Sequence, residues 1–346
     1  MKVVAITGEH RAEVMESKKP VLGRNQILMK VKGCALCTWE QRMYSGVIHY
    51  IKPPFVGGHE VTGEIAELGE GVDTKQYPIG KKIVAHMIKK SCGKCYFCRH
   101  GLDNVCVMTD DMDDAYEIPG TGGLGEYLRL NLDQVYFVPD DMPMETAVFA
   151  EPLACVIQSI NQAPIQLGDN VVVIGGGIMG QLHMMCAKAR GAYVIMSEID
   201  PERRKLAEKL GCDLTINPME TDAVAYIKEL TGGIGAEAVF NTTAVAAVAE
   251  QAVKMTAPGG TVVMYSSIHS GKDIPMDVGY IHSKGIRITG TKNPSVRSFS
   301  ESVNCLCKGI IDPSALVSGV FTPEQCNEAF ETALRPDTFR CIIEYR

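Results

Sequence analysis

The segment VVVIGGGIMGQLHMMCAKARGA, beginning at Val171, constrains the fold more than any other part of the chain. It reads as a short buried strand, a glycine turn and a helix. The pattern then repeats: YVIMSE is a strand, DPERRKLAEKLGC a helix, LTI a strand, DAVAYIKELTG a helix and AEAVFNTT a strand. VAAVAEQAVKMTAPGG reads as a further helix, and TVVMYSS and IRITGT as further strands. Strands alternating with helices of about 10–15 residues build βαβ units on a parallel sheet, so this region is expected to be an α/β domain of Rossmann type.

The turn Gly175-Gly176-Gly177-Ile178-Met179-Gly180 matches G-x-G-x-x-G, and it follows a strand and opens a helix, the context the motif requires. Gly175 allows the tight turn, Gly177 lets the backbone approach a diphosphate, and Gly180 lets the helix pack closely on the strand. A diphosphate would sit at the helix N-terminus, where free N–H groups and the helix dipole favour negative charge. Thr242, closing the strand AEAVFNTT, joins Ile178 and Met179 in the expected dinucleotide-binding set. Glu198 ends the second strand, where a carboxylate can accept from ribose hydroxyls and repel a 2′-phosphate; this favours NAD. Arg203 and Arg204 argue the other way, since an arginine there can hold a 2′-phosphate. Their alternative role is an exposed, charged helical turn.

Before this region, up to about Leu153, short alternating runs are broken by Gly and Pro: VVAIT, ILMKVKG, EVTGEIAEL, KKIVAHM, EYLRL and VYFVP. They predict an antiparallel β-rich domain. A helix is expected over Met144–Ile160, with a break or restart near Glu151-Pro152. After Asn293 come two helices and a terminal strand, RCIIEYR, expected to rejoin the first domain. The expected division is residues 1–155, completed by 293–346, around a dinucleotide-binding domain at 156–292.

Between Cys92 and Cys106 the spacing is C-x2-C-x2-C-x7-C. Four thiolates in so short a loop suit a closed, structural Zn²⁺ site. Lys94, Arg99 and His100 in the same loop would favour the thiolate forms. Two disulfides or four unrelated thiols are the alternatives. The chain holds 13 cysteines, an odd number, and several stand singly in apolar contexts, which fits a reducing compartment better than a disulfide framework. A net charge of −7 argues against nucleic acid or an anionic membrane surface as partner. No apolar run approaches the roughly 18–20 residues of a bilayer span, and the N-terminus reads as a first strand, not a signal peptide. A soluble, cytoplasmic protein is expected.

A second set of metal donors lies in the β-rich domain: Cys37 in KGCALCTWE, and His59-Glu60 in GGHEVTGE. Each taken singly can be a core thiol or a satisfied turn histidine. A catalytic zinc takes about three protein ligands and keeps an open position. Glu151 and Cys155, in AEPLACVIQ, are the candidates for the remaining ligand.

The GHE element, the four-cysteine loop, GGLGEYL, the EPL element and the glycine turn occur in this order over essentially the whole chain. Together they resemble the zinc-dependent medium-chain alcohol, polyol and L-threonine dehydrogenases. The resemblance implies a chaperonin-10-like catalytic domain, a Rossmann domain, a homodimer or homotetramer, two zinc ions per chain and NAD. It implies that Cys37, His59 and Glu151 (in preference to Cys155) hold the catalytic zinc, with Glu60 the carboxylate that binds or exchanges there. Cys92, Cys95, Cys98 and Cys106 would hold the structural zinc.

Two departures stand out. The hydroxyl that passes the substrate proton in that family is replaced by Trp39, and the relay histidine farther on by Arg42. Glu40 can still orient His59, and Thr38 or Glu60 is left for proton transfer. Trp39 is expected to wall the substrate pocket, and Lys292 and Asn293 to line it or lie in a solvated loop. The expected activity is hydride transfer between a secondary alcohol (polyol, sugar alcohol or cyclitol) and NAD, with an amino alcohol such as L-threonine as the rival. A non-catalytic protein on the same fold is the alternative from another class.

Overall fold

The computed structural model describes the chain except residues 88–90, 109–116 and 268–272. It divides into two compact units, Met1–Ala154 with Pro294–Arg346, and Cys155–Asn293.

In the first unit, β1 (Lys2–Gly8) and β2 (Arg11–Glu16) form a hairpin. A larger sheet joins β3 (Gln26–Ala35), β4 (Glu60–Leu68), β5 (Lys82–Ala85), β6 (Tyr127–Asn131) and β7 (Val135–Phe137) with β14 (Val317–Phe321) and β15 (Arg340–Glu344). The order is β14-β15-β3-β4-β5-β7, with β6 also on β3. Alternation explains the layering: Ile27, Met29 and Val31 of β3 and Ile65 of β4 point into one buried cluster with Ile83, Leu128 and Leu130. The terminal strand β15 pairs antiparallel with β3, so the last residues complete the first unit.

Short helices decorate this unit: α1 (Thr38–Tyr44), α2 (Tyr96–Arg99), α3 (Met144–Ala147), α10 (Val296–Cys307) and α11 (Cys326–Leu334). The expected helix break falls before the Glu151-Pro152 pair. α3 stops at Ala147, and α4 (Ala150–Ile160) starts two residues before Pro152, so the proline sits in a first turn, where its missing N–H costs nothing.

The second unit holds β8 (Asn170–Ile174), β9 (Tyr193–Ser197), β10 (Leu214–Ile216), β11 (Ala236–Asn241), β12 (Thr256–Met264) and β13 (Arg287–Gly290). All pair in parallel, in the order β10-β9-β8-β11-β12-β13. This is the Rossmann order, reversing direction beside β8, where a ligand site is expected at the carboxyl ends of the strands. The intervening helices are α5 (Ile178–Ala189), α6 (Pro201–Lys209), α7 (Ala223–Leu230), α8 (Ala246–Met255) and α9 (Val278–Lys284). One boundary differs from the sequence reading. TAPGG belongs to β12 and not to the helix before it: α8 ends at Met255, ahead of Pro258 and of Gly259, whose φ is +75°. Among the described residues no helix is long and apolar enough to cross a membrane.

Candidate active site and metal centres

Strand pairing assembles the first donor group. β3 and β4 run antiparallel with Ala35 opposite Glu60, so the residues just beyond β3 meet the residues just before β4. Cys37 caps α1 immediately after β3, and His59 precedes Glu60 at the mouth of β4. Gly58 lets the chain turn into this corner. Its φ is +94°, and a Cβ there would stand 2.5 Å from the Leu124 backbone nitrogen and 2.8 Å from Cys34 Sγ. Donor atoms of Cys37, Glu40 and His59 lie within 4.8 Å of one another, as do those of His59, Glu60 and Glu151. Cys155, the rival to Glu151, belongs to no such group among the described residues.

Glu40 plays the orienting part expected of it. Its Oε1 accepts from His59 Nδ1 and from the Gly58 backbone N–H, both at 2.8 Å. That leaves the other ring nitrogen of His59 to face Cys37, with which it hydrogen-bonds. A carboxylate behind a ligating histidine fixes its tautomer and raises its basicity. Burial alone would raise Glu40, but the His59 ring and the Gly58 amide hold it below the ordinary carboxylate range. Burial likewise opposes charge on His59, yet the facing Glu40 and Cys37 lift its pKa well above 6.5.

Arg340 is the site residue that carried no signal in the sequence. The β15–β3 register sets Ile342 opposite Ala35, and continuing it brings Arg340 level with Cys37. Its guanidinium is buried and donates to Glu60 Oε1 at 2.5 Å. Burial, with the Glu151 charge, outweighs the pull of Arg340 and leaves Glu60 raised to about 7.

This group fits a zinc ion. Glu60 Oε2 and Glu40 Oε2 are buried with no hydrogen-bond partner, an arrangement that costs free energy unless a cation or proton compensates. One sulfur, one imidazole nitrogen and carboxylate oxygens form a set that zinc takes readily. A metal held there would take the place of the proton between Cys37 and His59.

The four-cysteine lobe fits a second zinc by its spacing. Zn–S bonds of about 2.3 Å in a tetrahedron set the sulfurs about 3.8 Å apart. Here Cys92–Cys98 is 3.9 Å, Cys95–Cys98 3.5 Å and Cys95–Cys106 3.7 Å. All 13 cysteines of the chain are free thiols. Lys94, Arg99 and His100 are all exposed, and Cys92 and Cys95, the two thiols of the lobe lowered from the ordinary value, owe the shift first to backbone hydrogen bonds. Hydrogen bonding, first from the Cys98 backbone, lowers Cys95 to about 6, and the Cys95 N–H donates to Cys92 Sγ at 3.3 Å.

Trp39, half-buried in the first turn of α1, meets His59 edge-on at 6.3 Å and Phe55 at 6.2 Å. Thr38 is exposed, and Arg42 sits in the last turn of α1. Lys292 and Asn293 follow β13 at the end of the second unit, the first exposed and the second half-buried.

In the second unit the glycine turn is built as its motif requires. A Cβ on Gly180 would lie 1.8 Å from the Gly175 carbonyl oxygen, so no side chain fits. At Gly177 a Cβ would meet only Arg203 Nη1, at 3.8 Å, so the backbone there is open to approach. Gly176 carries a requirement invisible in the motif, since a Cβ would strike Glu198 Cγ at 2.9 Å. Thr242 Oγ1 donates to the carbonyls of Ile174 (2.8 Å) and Gly175 (3.2 Å), bracing the turn from behind. Glu198 accepts from the Gly176 N–H at 2.5 Å and the Asp200 N–H at 2.8 Å. Arg204 is committed to backbone, donating to the carbonyls of Glu198 and Ile199.

Comparison with known proteins agrees with both halves. Residues 23–140 match the alcohol dehydrogenase GroES-like domain, and residues 179–308 the zinc-binding dehydrogenase family. An L-threonine 3-dehydrogenase of Thermococcus kodakarensis is 35% identical over 72% of this chain and 71% of its own length. A sorbitol dehydrogenase of Bacillus subtilis is 28% identical over 97% of this chain and 94% of its own. The structure of 2R,3R-butanediol dehydrogenase from Bacillus subtilis shares the fold, with a TM-score of 0.86 at 24% identity over 100% of this chain and 99% of that one. With the zinc-fitting donor groups and the dinucleotide turn in place, the chain belongs to the zinc-binding medium-chain dehydrogenase family and is an NAD(P)-dependent oxidoreductase of CH–OH groups.

Proposed function

We propose that this protein oxidises a secondary alcohol bearing a polar substituent on the neighbouring carbon, a polyol, sugar alcohol or cyclitol, with NAD as acceptor. The observation that carries the reading is the two donor groups that share His59, Cys37–Glu40–His59 and His59–Glu60–Glu151, all buried but the half-buried Cys37. Cys37, His59 and Glu151 would hold the catalytic zinc, with Glu60 exchanging at it. Cys92, Cys95, Cys98 and Cys106 would hold the structural one. Bound there, the catalytic zinc supplies Lewis-acid chemistry that lowers the pKa of an alcohol hydroxyl.

The chain's own groups do the rest. Glu40 keeps His59 in one tautomer and orientation. Arg340 neutralises part of the carboxylate charge and holds Glu60 by one oxygen, leaving the other toward the donor group. Trp39 offers an apolar edge against His59 and no hydroxyl, so the substrate proton leaves by another path. Glu60, whose Oε2 is buried without a hydrogen-bond partner, takes and releases that proton. Thr38, exposed at the start of α1, is the remaining hydroxyl.

The substrate class follows from the relatives' chemistry. Sorbitol, L-threonine and butanediol each present a secondary carbinol beside a carbon carrying oxygen or nitrogen. The polyol is preferred because the sorbitol dehydrogenase match spans nearly the full chain. NAD is preferred over NADP because Glu198 lies at the ribose position, while Arg204 is spent on backbone carbonyls. A cytoplasmic homodimer or homotetramer completes the reading.

The test is a spectrophotometric screen of the zinc-loaded protein with NAD and NADP against polyols, cyclitols, vicinal diols, L-threonine and simple primary alcohols. Turnover confined to primary alcohols would overturn the substrate class. L-threonine oxidised well above every polyol would establish the rival.

A further inference from the structure

We propose that Gln181 is a positioning residue for the dinucleotide, locking the diphosphate-binding turn to the ribose-binding loop through its side-chain amide. The inference rests on the dinucleotide reading of this turn. Gln181 is the first residue after the G-x-G-x-x-G motif, fully buried in α5. Its Nε2 donates to the Gly176 carbonyl at 3.1 Å and to the Arg203 carbonyl at 3.0 Å. Both partners can only accept, so the orientation of the amide is forced. The two donor hydrogens of one side chain thus tie the glycine turn to the first turn of α6.

The two segments are joined a second time from the other side. Glu198 accepts from the Gly176 N–H, so both backbone polar groups of Gly176, N–H and C=O, are held by side chains. Asp200 caps α6 by accepting from the N–H groups of Glu202 and Arg203, and Glu198 accepts from the Asp200 N–H. The carboxylate placed for ribose and the amides placed for diphosphate therefore share one rigid frame. A ligand that spans both segments gains from their being pre-set.

The amide's own cost points the same way. Gln181 Oε1 is buried without a hydrogen-bond partner, a penalty of about 1–3 kcal/mol for such a group. An apolar side chain of the same length would fill the space without it. What the amide adds over an apolar side chain is the tie between the two loops.

The test uses the zinc-loaded full-length protein carrying Gln181→Met or Gln181→Leu, which keep the volume and remove both donors. Thermal unfolding is measured beside competitive inhibition against NAD by ADP-ribose, which spans both segments, and by adenosine, which reaches only the ribose loop. Loss of the two hydrogen bonds is expected to weaken ADP-ribose and raise the KM for NAD by about tenfold. Adenosine inhibition and kcat should stay within about twofold, and the unfolding midpoint should fall only slightly, since removing the unpartnered oxygen offsets part of the cost of a Gly176 carbonyl left without its side-chain donor. Equal losses for adenosine and ADP-ribose, unchanged ADP-ribose affinity, or failure of both variants to fold would each overturn the proposal. Absence of any dinucleotide binding by the unmodified protein would instead remove the reading beneath it.

Discussion

His183 offers a test of the second unit that does not depend on the metal sites. The imidazole lies fully buried on α5, its ring 5.2 Å from that of Phe240 and 4.6 Å from that of Tyr265. Nδ1 donates to the Met179 carbonyl at 2.6 Å, so Nε2 is the acceptor, and it takes the Ser159 hydroxyl at 2.9 Å. The neutral ring is completely satisfied, and burial lowers its pKa from 6.5 to about 4. In the unfolded chain the same ring titrates at its ordinary value. Between those two values the unfolded state binds the extra proton, so stability falls as pH drops through this window and is unaffected above it. At about 1.4 kcal/mol per pH unit, the full effect is about 3 kcal/mol. The perturbation is His183→Gln, which keeps a donor and an acceptor but cannot charge. Urea unfolding of both proteins, followed by circular dichroism from about pH 7.5 to about pH 4.5, isolates the contribution, because acid loss of zinc is common to the two. The stability advantage of the unmodified protein should shrink by about 2–3 kcal/mol toward acid pH. Parallel stability curves over that range would refute a buried, neutral His183.

Three further outcomes are expected. Replacing Cys95 with Ser should lower bound zinc from two to one per chain by elemental analysis, leaving the zinc at Cys37 and His59 in place; loss of both would refute independent sites. Arg340→Met should destabilise the protein by about 3–5 kcal/mol, because Glu60 is left buried without its cation. Adding Glu60→Gln should recover most of that loss, and a double-mutant cycle showing no coupling would contradict the ion pair. Trp39→Ala should raise the KM for the alcohol several-fold while zinc content stays unchanged, measured by steady-state kinetics beside metal analysis; lost zinc would make Trp39 a support for His59 and not a pocket wall.

How much of the site was legible in sequence varies by element. The four-cysteine lobe and the glycine turn are local, and their ligands sit within a few residues of one another, so spacing alone exposes them. Glu40 was readable only through the family resemblance, and α1 then brings its carboxylate to His59 Nδ1. Arg340 was not, because it lies 280 residues from Glu60 and the two meet only through the pairing of β15 with β3. Gln181 was passed over for another reason. A polar residue following a glycine motif looks like an ordinary helical surface position, and only full burial shows that both its hydrogens are engaged.

The sequence by itself determined the class of fold, the family, the four-cysteine spacing and the dinucleotide motif, since periodicity and short motifs are encoded by neighbouring residues. It also shows tryptophan at position 39, where the family it resembles carries a hydroxyl. Tertiary structure brought Glu151, already preferred to Cys155, beside His59 and Glu60, and set backbone hydrogen bonds around the Cys95 sulfur. It also committed Arg204 to the backbone and placed Arg340 at the centre of the donor group. These are questions of which distant side chains share a buried space. For Arg340 strand register gives the answer, because a shift of one residue would point its side chain to the opposite face of the sheet.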